Sequence, residues 1–159
     1  MSVRLWRVSR HVALSGSGGL SASGRWHTRG RRVVYTAESP ALAVLEVLVH
    51  LEIDTSDHPK GYHLVEIRAP DDVMDVDLPA LRHGWEIREF DTRALGDVWL
   101  AAGETLLLRV PSAVVPGSWN YLMNPGHPRM RRVRIIATTP DPFDRRLLRA
   151  RPRGSRRRR

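Results

Sequence analysis

Hydrophobic residues recur along this chain in short alternating runs, interrupted once by a nearly continuous apolar stretch. Residues 4–9 (RLWRVS), 33–37 (VVYTA), 62–69 (YHLVEIRA) and 73–78 (VMDVDL) carry β-branched, aromatic or aliphatic side chains at about every second place, a spacing that predicts strands. Residues 106–110 (LLLRV) and 133–138 (VRIIAT) are denser and predict buried strands, the first ending at Pro111. The stretch 41–52 (ALAVLEVLVHLE) predicts one helix of about three turns. Ser39-Pro40 starts it well, because Ser caps a free amide and Pro suits the first helical position. Residues 79–97 predict a short helix and loops, and the Gly/Ser-rich 15–24 (SGSGGLSASG) a loop. Strands outnumber helices, and the long helix follows an early strand. This pattern predicts an α+β (mixed α/β) fold, a single compact domain built on a central sheet.

Composition changes the picture chiefly through charge. The 159 residues hold 26 Lys+Arg against 17 Asp+Glu, a net charge of +9. Nine of those Arg fall in residues 145–159, which contain no acid. The body is therefore neutral and carries no basic face for nucleic acid. Residues 149–159 read as a disordered Arg-rich tail, leaving 1–148 as the domain. All but Lys60 of the basic residues are Arg, which reads as genome composition. The absence of Cys excludes a disulfide framework and thiolate metal sites. No apolar run is long enough for a membrane span, and Arg4, Arg7 and Arg10 interrupt any secretory signal. A cytoplasmic enzyme or binding domain remains.

Candidate chemistry gathers in three places. On the predicted helix, Ser39, Glu46 and His50 share a stripe about 40° wide on an otherwise apolar surface. Glu46 is thus either part of a thin solvent seam or a carboxylate aimed into a cleft. Upstream, Arg25 and Trp26 follow a Gly-rich loop. Arg25 is either a surface residue or a clamp for phosphate or carboxylate, to which its fork donates paired bonds. Gly24 lets backbone approach a ligand closely. Tyr35 lies in a predicted strand. Downstream, 110–128 (VPSAVVPGSWNYLMNPGHP) reads as irregular, with Ser112 at a strand end and Asn120 and Asn124 able to brace loops or read a ligand. Ser112 lacks a nucleophile elbow, so a hydrolase serine is not expected. No phosphate loop, dinucleotide fingerprint or zinc-protease motif occurs, and His58 and His63 show no acidic partner pattern along the chain, so no metal is expected.

Together these pieces resemble the RES domain family of bacterial toxins. The resemblance rests on GRW (24–26), VVYTAESPALAVLEVLVH (33–50), GDVWL (96–100), LLLRVPSAVVPGSWNYLMNPGHP (106–128) and PFDRRL (142–147), in family order across nearly the whole chain before the tail. It implies a fold like that of the NAD-using ADP-ribosyltransferase toxins, with a mostly antiparallel sheet. It implies an enzyme that takes NAD+ as substrate and depletes the cellular pool. Relatives hydrolyse NAD+, transfer phosphate onto it, or modify a protein. It also implies an Xre-type helix-turn-helix antitoxin, so that DNA is met only through that partner. The family's Arg, Tyr, Glu and Ser fall on Arg25, Tyr35, Glu46 and Ser112, and its Asn on Asn120. Glu46 would stabilise cationic character on the ribose and Arg25 would hold pyrophosphate or ribose. Tyr35 would pack on nicotinamide, Ser112 and Asn120 would orient nicotinamide or ribose, and Trp26 would shape the pocket. His27 departs from the more frequent Asn. Two other readings stay open on the residues alone. One is a partner-binding module using 110–128 and the tail. The other is a nucleic-acid role resting on the Arg tail.

Overall fold

A computed structural model describes residues 1–51 and 58–148. Strands β1 (Ser2–Ser9), β2 (Val34–Ala37), β3 (His63–Pro70), β4 (Val73–Asp75), β5 (Leu107–Pro111), β6 (Trp119–Met123) and β7 (Arg134–Pro140) form one sheet. Its order is β4-β5-β6-β2-β1-β3-β7. Every neighbouring pair is antiparallel except β4 with β5. The expected mixed α/β domain with a mostly antiparallel sheet is therefore the one observed.

Pairing is uneven across this sheet. β1 and β3 stay in register from Ser2 opposite Pro70 to Ser9 opposite His63. β1 and β2 meet only at Trp6 opposite Ala37. The sheet thus consists of two well-paired halves joined at a narrow seam. On one face, the halves carry separate apolar clusters. Trp26, Trp99, Leu108, Val110 and Leu122 pack around helix α3 (Glu89–Ala102) on the β5-β6-β2 half. Val8, Ala37, Leu42, Ala43 and Phe143 pack around helix α2 (Pro40–Leu48) on the β1-β3 half. On the opposite face, Leu5, Val34, Val65, Ile67, Leu107 and Met123 form one cluster across both halves. That continuous layer holds the halves together while the other face stays divided at the seam.

Local chemistry explains most element ends. Ser39 caps α2 by accepting from the Leu42 amide at 3.2 Å, with Pro40 at the first helical position, as expected. The helix stops at Leu48, short of the three turns expected, and tight turns close onto Val47 and Leu48 from His50 and Leu51. Glu52, its expected end, lies outside the described residues, as does the tail at 149–159. Helix α3 is longer than the short helix expected, because buried Thr92, Gly96 and Trp99 recur one turn apart on one face, while Phe90 and Val98 stay exposed on the other. Gly103 ends it in the left-handed conformation, its amide bonding to Trp99 O at 3.0 Å. Within the expected loop 15–24, helix α1 (Gly18–Ser21) makes a single turn. β6 corrects the irregular reading of 110–128. Five residues between proline-rich flanks leave too short a period to read, and pairing with both β2 and β5 makes the strand. β7 corrects a second expectation: it is exposed throughout rather than buried, because it forms the sheet edge beyond β3.

Gly96 fits where no side chain would, since a Cβ there would lie 1.7 Å from Trp26 O. Helix propensity alone favours Ala over Gly by about 1 kcal/mol. Overpacking costs about 1–3 kcal/mol and displaces backbone. Gly96→Ala is therefore expected to lower the melting temperature by several degrees. Gly18→Ala, which meets nothing within 4 Å, is expected to leave it unchanged. A raised melting temperature for Gly96→Ala in thermal unfolding would show that the close contact does not limit this position.

Candidate active site

A cleft of about 630 Å³ opens at the seam between the two halves of the sheet. Glu46 and Trp6 line it from the β1-β3 side, Tyr35 and Asn120 from the β2-β6 side, and Arg25 and Arg93 from the rim. Its location follows from the pairing: backbone groups that diverge beyond one shared pair leave a crevice, and the two helices stand on either side of it.

Glu46 projects from the last full turn of α2 and is half-buried. Its Oε1 accepts two hydrogen bonds, from Ser112 Oγ at 2.6 Å and from Asn120 Nδ2 at 2.5 Å. Ser112, 5% exposed, sits behind Glu46 at the end of β5. Its Oγ also accepts from the amides of Val114 and Val115 at 3.1 and 3.0 Å. Both lone pairs are thereby occupied, and the single hydroxyl proton goes to Glu46. The serine is a fixed donor. Asn120 is oriented the same way, amide nitrogen toward the carboxylate. Three residues separated by up to 74 positions thus meet at one oxygen. The other oxygen of Glu46 accepts from no described residue.

Arg25, Trp26 and Tyr35 form a second group. Trp26 is 2% exposed and stacks obliquely on Trp85 at 5.7 Å, so its indole builds the cleft wall. Tyr35 Oη accepts from the Trp26 amide at 3.1 Å and lies 2.7 Å from His27 Nδ1. Burial raises the Tyr35 pKa well above the ordinary phenol value, so the hydroxyl stays protonated. Arg25 donates to the Glu86 carbonyl, and its guanidinium lies 6.0 Å from the Trp85 ring centre. It shares the cleft with Glu46 without touching it. The backbone beneath it is held from α3: Thr92 Oγ1 donates to Arg25 O at 2.5 Å and Arg93 Nε to Gly24 O at 2.7 Å. Gly24 permits this closeness, because a Cβ would stand 2.5 Å from Tyr35 Oη.

Sequence reasoning missed Arg7 and Arg93, both of which line the cleft. Arg7 leaves β1 at the seam and donates to Ser9 Oγ at 3.2 Å. Burial lowers its pKa from the ordinary value, and no carboxylate of the described residues pairs with it. Nothing in an Arg-rich chain marks Arg7 out. Its one signal is a charge at a strand position with apolar neighbours on both sides. Arg93 was hidden in the poorly patterned 79–97. His50, from the expected polar stripe, also reaches the cleft, whereas Asn124 does not: its Oδ1 accepts from Gly126 N at 3.0 Å and braces a loop. Among the described residues no group of three or more His, Asp or Glu could hold a metal ion.

The fold and sequence both have known counterparts. The chain aligns structurally with a chain of the M. tuberculosis MbcT–MbcA toxin–antitoxin complex, with a TM-score of 0.73 at 19% identity, covering 88% of this chain and 84% of that one. Toxin Res of Pseudomonas putida is 50% identical over 139 residues, which cover 86% of this chain and 96% of that protein. The Prs ADP-ribosylating toxin of Sphingobium sp. is 34% identical over 161 aligned positions, covering 94% and 99% respectively. The family model of the RES domain matches residues 4–146, which contain the cleft and every residue of the Glu46 cluster. This chain belongs to the RES domain family of toxins.

Proposed function

We propose that this toxin consumes NAD+ by breaking the bond between nicotinamide and ribose, and that it is paired in the cell with an antitoxin. One observation carries the reading. A carboxylate fixed at one oxygen by Ser112 and Asn120 presents its second oxygen to a cleft bordered by Arg7 and Arg25, with Arg93 there paired to Glu89 at 2.5 Å. Negative charge beside the ribose and positive charge around it suit a substrate with a cationic ring at one end and a pyrophosphate in its middle.

When the C1′–N bond breaks, its electron pair leaves with nicotinamide, whose ring nitrogen becomes neutral. Positive charge shifts to the ribose, as in glycoside cleavage. Glu46 stabilises that charge, and it does so cheaply because its orientation is set before substrate arrives. Ser112 and Asn120 act as positioning residues through Glu46. Arg25, with Arg7, holds the pyrophosphate by paired guanidinium bonds. Tyr35 presents its ring to the nicotinamide, and Trp26 shapes the wall. Water or phosphate completes the reaction at C1′. The name of the Sphingobium relative favours a second reading, ADP-ribosyl transfer to a protein. The same bond breaks in both, and nicotinamide release with and without phosphate or protein separates them.

The antitoxin is proposed to be of the Xre helix-turn-helix type, with DNA met through it. The fold shared with one half of a toxin–antitoxin complex supports a partner of this kind. No helix among the described residues is long and apolar enough to cross a membrane, and a cytoplasmic site of action fits an NAD+-consuming toxin.

Three substitutions test these roles by nicotinamide release from NAD+. Glu46→Gln is expected to lower turnover by about 10²–10³ while leaving the melting temperature within a few degrees. Near-normal turnover would remove Glu46 from its role. Ser112→Ala is expected to lower kcat by about tenfold with little change in KM, because the loss of one charge-assisted bond frees the carboxylate to reorient. A rise in KM with kcat unchanged would place Ser112 on the substrate instead. Arg25→Lys is expected to raise KM by about tenfold, since a point charge does not replace the fork. Unchanged constants would take Arg25 out of the binding set.

A further inference from the structure

The loop that presents Arg25 is held by a directional chain of hydrogen bonds through one buried histidine. His27 is 3% exposed. Its Nε2 lies 2.9 Å from Ala22 O, and a carbonyl only accepts, so Nε2 carries a proton. At the other nitrogen, the Gly24 amide donates to Nδ1 at 3.2 Å. Nδ1 is therefore an unprotonated acceptor, and the Tyr35 hydroxyl, 2.7 Å away, shares its single lone pair. Tyr35 Oη in turn accepts from the Trp26 amide. His27 and Tyr35 thus bind the Ala22 carbonyl and the Trp26 amide, and the ring shares the Gly24 amide with the backbone oxygen of His27 at 3.1 Å; these groups flank Arg25.

We infer that His27, accepting at Nδ1 and donating from Nε2, is the positioning residue for Arg25 and Tyr35 in the cleft. Without its ring the Ala22 carbonyl and the Tyr35 hydroxyl lose their partners, and the Gly24 amide keeps only the backbone oxygen of His27. The charged groups around this pair offer the Tyr35 hydroxyl no other acceptor. Arg25 on the loop and Arg93 on α3 are cations, and Asp97 of α3 is engaged by the Thr28 amide at 2.9 Å and by Arg31 at 3.2 Å. Gly19 of α1, where a Cβ would lie 3.2 Å from Nε2, brings no charge. Burial raises the Tyr35 pKa, so its hydroxyl keeps the proton that it donates to Nδ1. The catalytic consequence rests on the NAD+ reading above, whereas the ring's tautomer and its hold on the loop do not.

The test combines kinetics with nuclear magnetic resonance on the full chain. In His27→Asn the side-chain oxygen still accepts from Tyr35 and Gly24. In His27→Leu no acceptor remains. His27→Leu is expected to raise KM for NAD+ about tenfold with kcat little changed, the effect of losing one to two buried hydrogen bonds. His27→Asn, which restores the acceptor, is expected to bring KM back close to the wild-type value. Without NAD+, the ring nitrogens are expected to report the Nε2–H tautomer. Exchange of the Trp26 amide is expected to accelerate in His27→Leu and to stay near the wild-type rate in His27→Asn. A KM raised as far in His27→Asn as in His27→Leu would overturn the inference. So would unchanged KM in His27→Leu, an Nδ1–H tautomer, or Trp26 amide exchange indifferent to the loss of the ring. If no protein releases nicotinamide at any pH, the NAD+ reading fails, and the tautomer and amide exchange alone decide the role of His27.

Discussion

The cleft exists because two strands that run side by side share a single point of pairing. Trp6 opposite Ala37 is where β1 and β2 meet, and the backbones separate from there. A sheet so weakly joined at its middle would part if nothing else bridged it. The layer of Leu5, Val34, Val65, Ile67, Leu107 and Met123 on the far face supplies that bridge. Burying large aliphatic side chains stabilises by about 1.5–3 kcal/mol each, an amount that outweighs a few missing ladder bonds. The near face is thereby free to stay divided, with one helix on each half and the crevice between them.

Both walls of the crevice use the same device, a polar side chain locked by backbone donors or acceptors before any ligand arrives. Ser112 has its lone pairs filled by two amides, so its proton is aimed at Glu46. His27 has Nδ1 filled and Nε2 bound to a carbonyl, so the Arg25 loop is closed around it. Side-chain hydrogen bonds of this kind each add only about 1 kcal/mol to stability. Their larger effect is to remove alternative orientations from groups that face the cleft. Helix α3 completes the arrangement through Gly96, Thr92 and Arg93, all of which meet the backbone of the Gly24–Trp26 turn.

Much of this was legible in the residues. The Ser39-Pro40 start of α2, the alternating apolar pattern of β1, β2 and β3, and the buried run of β5 each follow from local chemistry or periodicity. The narrow polar stripe bearing Glu46 was visible as an exception on an apolar helix. β6 was not legible, because its one asparagine and its proline-bearing flanks resemble a loop and its pairing with two neighbours is non-local. The exposure of β7 was not legible either, since an edge strand and a central strand share the same apolar pattern until the sheet order is known.

Residue type and spacing were enough to establish most elements, the family, and Arg25, Tyr35, Glu46, Ser112 and Asn120 as candidates. They left Arg7 and Arg93 indistinguishable from two dozen other cations. It took the packed fold to bring Ser112 and Asn120 onto one oxygen of Glu46. The same packing leaves Arg7 partly buried at the seam, without a carboxylate among the described residues. It also buries His27 against the loop that carries Arg25. The difference comes from distance along the chain. A hydrogen bond between residues 66 or 74 positions apart has no signature in local pattern, and it forms only after the two halves of the sheet have packed.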